Sequence, residues 1–145
     1  MHYFLYFSPK GEVLDTQDEE FDLYDIIYKS LFSDFYEYWF ECNSTAELAY
    51  MNNDELISHL SISADYSGIS LHYADSAGKN ILSVSDMTKL EELIITIDDI
   101  RISSGLFISL EFAWEAIKFF LNTGKEFEKI NWISANDLPE KCSYA

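Results

Sequence analysis

Little in this chain bends it, staples it or gives it positive charge. Only 2 Pro and 5 Gly occur in 145 residues, which excludes collagen-like and low-complexity architectures. The 2 cysteines, Cys42 and Cys142, are too few for a disulfide scaffold and lack C-x-x-C spacing. Two unpaired thiols are expected, with Cys42 buried. No apolar run approaches the ~18 residues that a membrane-spanning helix needs. The start, Met1 to Phe7, has no Lys or Arg ahead of its short apolar stretch, so it makes a poor secretion signal and points to a cytoplasmic protein. Lys plus Arg total 9 against 26 Asp plus Glu, a formal charge of −17. Such a surface repels phosphate, which argues against direct nucleic-acid binding and against docking on anionic lipid. A basic protein partner suits it better.

What is present is apolar and aromatic. Apolar residues make up 48% of the chain and aromatics 17%, enough to exclude intrinsic disorder despite the charge. The length is that of one domain able to bury a core. The acids are unevenly spread: residues 1–60 carry 13 acids and 2 bases, residues 61–145 carry 13 acids and 7 bases. From Ser30 to Gly78 there are 8 acids and no Lys or Arg. Self-repulsion of this size costs stability, which makes a compensating purpose plausible.

Periodicity predicts an α+β domain over residues 1–133, mostly antiparallel sheet, with an N-terminal helix, a C-terminal helix and a short strand after it. Residues 134–145 read as a frayed polar tail. Tyr3 to Phe7 reads as a buried first strand closed by Ser8-Pro9-Lys10-Gly11. Thr16-Gln17-Asp18-Glu19 has capping-box spacing, so a helix is expected over about 18–32, with Asp25 and Lys29 paired on its polar face. Phe35 to Glu41 is aromatic-rich and reads as a strand, with Tyr36, Tyr38 and Phe40 on one face and Phe35, Glu37, Trp39 and Glu41 on the other. Residues 43–58 are hard to read, since Asn53-Asp54-Glu55 fits either a helix cap or a turn. Leu60 to Ala64 and Ile69 to Tyr73 form a hairpin around Asp65-Tyr66-Ser67-Gly68, with one wet face. Ile81 to Ser85 follows as a third strand, and Leu93 to Ile97 and Ile100 to Ile102 flank Asp98-Asp99 as two more. The clearest element is a helix capped by Ser109 and stopped by Gly124, burying Phe112, Ala113, Ala116, Ile117, Phe120 and Leu121. A short strand, Lys129 to Ile133, carries Trp132.

No catalytic spacing is present. There is no H-E-x-x-H, G-x-S-x-G or P-loop, and Asp15 to Glu20 lacks the register of a calcium loop. His59 and His72 both project to the wet face of the hairpin, a conceivable metal pair without a third ligand at fixed spacing. Acid pairs such as Asp98-Asp99 and Glu91-Glu92 would be needed for a hydrolase working with paired carboxylates, but 26 acids bring such pairs together by chance. The expectation is therefore no catalysis, no metal and no cofactor. The face that mixes Glu37 and Glu41 with Trp39 suits protein recognition, where rings anchor and acids steer. Asp54, Glu55, Asp98 and Asp99 join it as candidate contacts.

The segment Ile108-Ser109-Leu110-Glu111-Phe112-Ala113, then Ala116 to Gly124, then Ile130-Asn131-Trp132, resembles the C-terminal element of bacterial toxin-immunity proteins, specifically immunity family one of the polymorphic and contact-dependent toxin systems. The likeness rests on Phe120-Leu121-Asn122-Thr123-Gly124 followed by Trp132, about 25 residues in all; Phe127 stands where a Pro would be expected. Phe120, Leu121, Thr123, Gly124 and Trp132 are read as structural. The resemblance implies an α+β protein without catalytic activity. It would act as a monomer or weak dimer, binding and blocking the C-terminal toxin domain of its own system. Such toxins are often nucleases or deaminases with basic clefts. The alternatives are a small acidic hydrolase and a non-catalytic adaptor.

Overall fold

The computed structural model describes residues 1–17, 22–41 and 43–139. In chain order the elements are β1 (His2–Phe7), β2 (Val13–Asp15), α1 (Leu23–Phe32), α2 (Phe35–Phe40), β3 (Thr45–Asn52), β4 (Glu55–Asp65), β5 (Gly68–Asp75) and β6 (Asn80–Ser83). They continue as β7 (Leu93–Ile95), β8 (Arg101–Ser103), β9 (Phe107–Ile108), α3 (Leu110–Thr123) and β10 (Trp132–Ser134). Eight strands form one antiparallel sheet in the order β10-β6-β5-β4-β3-β1-β2, with β9 beside β5; β7 and β8 pair separately.

The alternation that is visible in the sequence builds the sheet. Leu60, Ile62 and Ala64 of β4 and Ile69, Leu71 and Tyr73 of β5 are all buried, while Ser61, Ser63 and His72 take the other face. Those six join Tyr6, Leu48 and the inward stripes of α1 and α3 in the main core. A smaller core of Leu82, Val84, Leu90, Ile102, Leu106, Phe107 and Ile133 forms around β6, β8, β9 and β10. Helices packed on one face of an antiparallel sheet make this an α+β domain. Residues 43–58 resolve into β3 and the start of β4, joined by Asn53 and Asp54, both with positive φ, the backbone of a tight hairpin turn. The tight turn at Tyr66–Ser67 ends with Gly68, whose missing Cβ leaves room for the Ile108 carbonyl.

Five expectations need correction. The segment Phe35 to Glu41 holds the helix α2 (Phe35–Phe40) rather than a strand, because burial follows i, i+3, i+4: Trp39 is fully buried, and Phe35 and Tyr38 are partly so. α1 begins later than expected and is capped by Asp22, whose carboxylate accepts the Asp25 amide. Thr16 instead ties the chain to β1, donating to and accepting from the Phe4 backbone. Asp18, Glu19, Glu20 and Phe21 lie outside the described residues, as do Cys42 and Cys142. In β1 only Tyr6 is fully buried, and Phe7 is exposed, because the strand sits near the sheet's edge and covers the core with one face. Phe112 is 59% exposed rather than buried: it stands over an open groove of about 370 Å³ lined also by Val84, Ile108 and Ile130. The final strand includes Ser134, and a 3-10 turn at Ala135–Asp137 follows it, with Ala135 and Leu138 packed on the smaller core.

Candidate functional site

The mixed acidic and aromatic surface exists, but α2 builds it through helical spacing. Tyr36 and Phe40 stand one turn apart on α2, and Tyr66 from the β4–β5 turn lies flat on Phe40, with ring centroids 4.5 Å apart and planes 6° apart. Tyr36 is 5.8 Å from Tyr66 and 6.0 Å from Phe40, so the three rings form one group. Tyr66 is 73% exposed and Tyr36 60% exposed. Asp65 fixes the position of Tyr66, since its carboxylate accepts the Ser67 amide at 3.1 Å and hydroxyl at 2.9 Å.

Glu37 and Glu41 are exposed and one helical turn apart on the stripe next to Tyr36 and Phe40. Like charges at this spacing cost a few tenths of a kcal/mol. The ion pairs among the described residues are Asp25–Lys29, Glu115–Lys118 and Glu126–Lys79, and none reaches this surface. Its carboxylates therefore face solvent without a cation from the described chain. Trp39 points the other way: it is fully buried, and its Nε1 donates to the Ser30 carbonyl at 3.0 Å, so it anchors α2 and meets no partner.

The remaining acids separate into two ends of the sheet. Asp98, in the β7–β8 turn, reaches the start of β3, where Ser44 and Thr45 hydroxyls donate to it at 2.8 and 3.1 Å and the Thr96 hydroxyl donates as well. Partial burial pushes its carboxyl up, but these hydrogen bonds outweigh burial and hold it below the usual carboxylate value. Asp98 thus spends its oxygens on fastening a hairpin, while Asp99 is exposed beside it in a left-handed conformation. Asp54 and Glu55 lie at the far end of β3, where the Tyr3 hydroxyl donates to Asp54 at 2.9 Å; that bond pushes the Tyr3 pKa up. The length of β3, about 23 Å at the usual strand rise, separates the two groups. That exceeds the ~8 Å screening length at physiological salt, so they do not act as one charge cluster. Glu37, Glu41 and Asp99 share an end with the ring stack, and Asp54 and Glu55 do not.

Each residue of the resembling motif makes contacts within the fold. Phe120 and Leu121 are buried in the main core. The Thr123 hydroxyl donates to the Phe119 carbonyl at 2.8 Å and accepts the Lys125 amide. Gly124 ends α3 with φ 71°, and its carbonyl accepts the Ser58 hydroxyl at 2.5 Å. Trp132 is half-buried, and its Nε1 donates at 2.8 Å to the carbonyl of Phe127, whose ring packs 5.4 Å from Phe119. His59 and His72 do meet on the sheet's outer face, with rings 5.9 Å apart, and His72 Nε2 lies 2.5 Å from Asn80 Oδ1. Burial lowers the His72 pKa. Among the described residues no group of three His, Cys, Asp or Glu is placed to hold a metal.

Sequence reasoning missed Tyr66 as an exposed ring and assigned Tyr36 to a different face from Glu37. The i,i+4 spacing of Tyr36 with Phe40 was the available signal. Compared with known proteins, the chain matches no protein-family model, and no curated protein is significantly similar to it. No helix among the described residues is long and apolar enough to cross a membrane.

Proposed function

We propose that this protein is a stoichiometric inhibitor, an immunity protein that binds a basic toxin domain of its own system and blocks it with its acidic, aromatic end. The observation that carries this reading is the Tyr36–Phe40–Tyr66 stack, its two tyrosines exposed and bordered by Glu37 and Glu41, on a stretch of chain without Lys or Arg from Ser30 to Gly78. Exposed rings cost solubility unless a partner covers them, and flanking acids draw a basic partner in over distance. A nuclease or deaminase cleft built for phosphate has the complementary charge.

Surface-plasmon kinetics against a basic toxin domain taken from a neighbouring reading frame is the test. Glu37→Lys combined with Glu41→Lys should slow association about tenfold or more and leave the melting temperature near wild type. Raising salt should slow association much more than it speeds dissociation. Tyr66→Ala should speed dissociation, by about 1–2 kcal/mol of binding energy. An association rate indifferent to salt would refute the steering, and absence of any complex would refute the inhibitor reading.

A further inference from the structure

The β7–β8 hairpin carries a second recognition feature on its free side. Its ladder runs through Ile94 and Ile102, with the Thr96 amide donating to the Ile100 carbonyl at 2.9 Å and the Ser104 amide to the Glu92 carbonyl at 2.6 Å. Hydrogen-bonded pairs alternate in an antiparallel ladder, so the N–H and C=O groups of Leu93 and Ile95 point away from β8. No third strand joins this two-stranded sheet among the described residues. On that same edge Leu93 is 37% exposed and Ile95 59%, with Ile97 following at 50%, whereas Ile94 packs into the smaller core. An edge that offers free backbone groups beside exposed apolar side chains is a template for an added strand.

We propose that β7 takes up an extended segment of a partner protein as an added antiparallel strand, the segment being apolar at alternate positions and basic at both ends. The charge around the edge selects this occupant. Exposed Glu91 and Glu92 precede the strand and exposed Asp99 follows it in the turn, whereas Asp98 is already taken by the Ser44, Thr45 and Thr96 hydroxyls. A second copy aligned with Ile95 against its own mate would match Leu93 to Ile97. It would also bring the exposed Glu91 and Glu92 of each copy toward the exposed Asp99 in the other's turn, twice over by symmetry. Like charges brought together at a shared edge are destabilising, so these acids oppose self-pairing and favour Lys or Arg at the ends of the incoming strand. Arg101 stands on the β8 side of Ile95, away from the free edge. The hairpin tip is fastened at Ser44 and Thr45, at the end of the sheet that carries the ring stack. The inference thus deepens the inhibitor reading, and rests on it for the partner's identity alone.

The test is amide hydrogen exchange on the full chain with a synthetic peptide, Lys-Lys-Val-Thr-Val-Thr-Val-Lys-Lys, set against a version with Glu in place of every Lys. The basic peptide should slow exchange at the Leu93 and Ile95 amides about tenfold, and the acidic one should leave them unchanged. Ile95→Pro removes an outward donor while sparing the β7–β8 bonds, and should weaken peptide binding about tenfold; Ile95→Thr keeps the donor and should bind within about threefold of wild type. Unchanged exchange at millimolar basic peptide would overturn the proposal. So would protection that grows with protein concentration without peptide, since the occupant would then be a second copy. Protection by the peptide without any toxin complex would leave β7 a docking edge and refute the inhibitor reading. A toxin complex indifferent to Ile95→Pro, with no peptide effect, would do the reverse.

Discussion

Gly124 shows how tightly one residue can be held by its own backbone and a single neighbour. It holds a positive φ at the end of α3, and a Cβ there would lie 2.3 Å from the Tyr50 ring. That ring is wedged between His2, stacked at 5.2 Å, and Phe4 at 4.9 Å, so it has little room to retreat. Gly124→Val therefore combines backbone strain with a steric clash and should lower stability by about 2–4 kcal/mol. Thermal melts check this; a variant that melts like wild type yet fails to bind would move Gly124 into an interface. Local chemistry of this kind was legible in the sequence. The Ser109 cap, the Gly124 stop and the Asp25–Lys29 pair, now 3.0 Å apart, depend on neighbours within a turn. Trp39 and Phe112 were not legible, because their exposure depends on which distant element covers them.

Among the elements, α2 was misread for a physical reason. Its aromatic residues favour strands in general, and Phe35 to Glu41 splits equally well into odd and even faces. Packing decided otherwise: a helix lets Phe35, Tyr38 and Trp39 face inward together, and the Trp39 indole then reaches the last part of α1 through Ser30. The Tyr38 and Tyr6 hydroxyls also meet, at 2.6 Å, and burial pushes both tyrosine pKa values up. The β7–β8 hairpin depends more heavily on one side chain. Asp98→Ala removes the acceptor for three hydroxyls and should cost about 1–3 kcal/mol at neutral pH. Because the folded Asp98 titrates below the usual value of 3.8, this contribution is present above that value and fades as pH falls through the folded pKa. Melts of wild type and variant should converge in acid, and a gap that persists well below pH 3.8 would assign the stability to something other than the carboxylate.

At the scale of the whole molecule, the fold class, the central hairpin and the closing helix were readable because period-2 and period-3.6 patterns are local. The strand order was not, nor the division of the acids between two ends, since both depend on pairings across the chain. That strand order also governs how the protein assembles. β3, β4 and β5 are joined by two-residue turns at Asn53–Asp54 and Tyr66–Ser67, whereas β1 reaches β3 only after the whole segment carrying α1 and α2 has closed. Closing a long loop costs more entropy than closing a tight turn, and contacts distant in sequence form late. The three-strand meander is thus expected to form before β1, α1 and α3 condense on it. Pulse-labelled hydrogen exchange during refolding should protect the amides of β4 and β5 before those of β1; simultaneous protection of all three would mean that the sheet forms in one step.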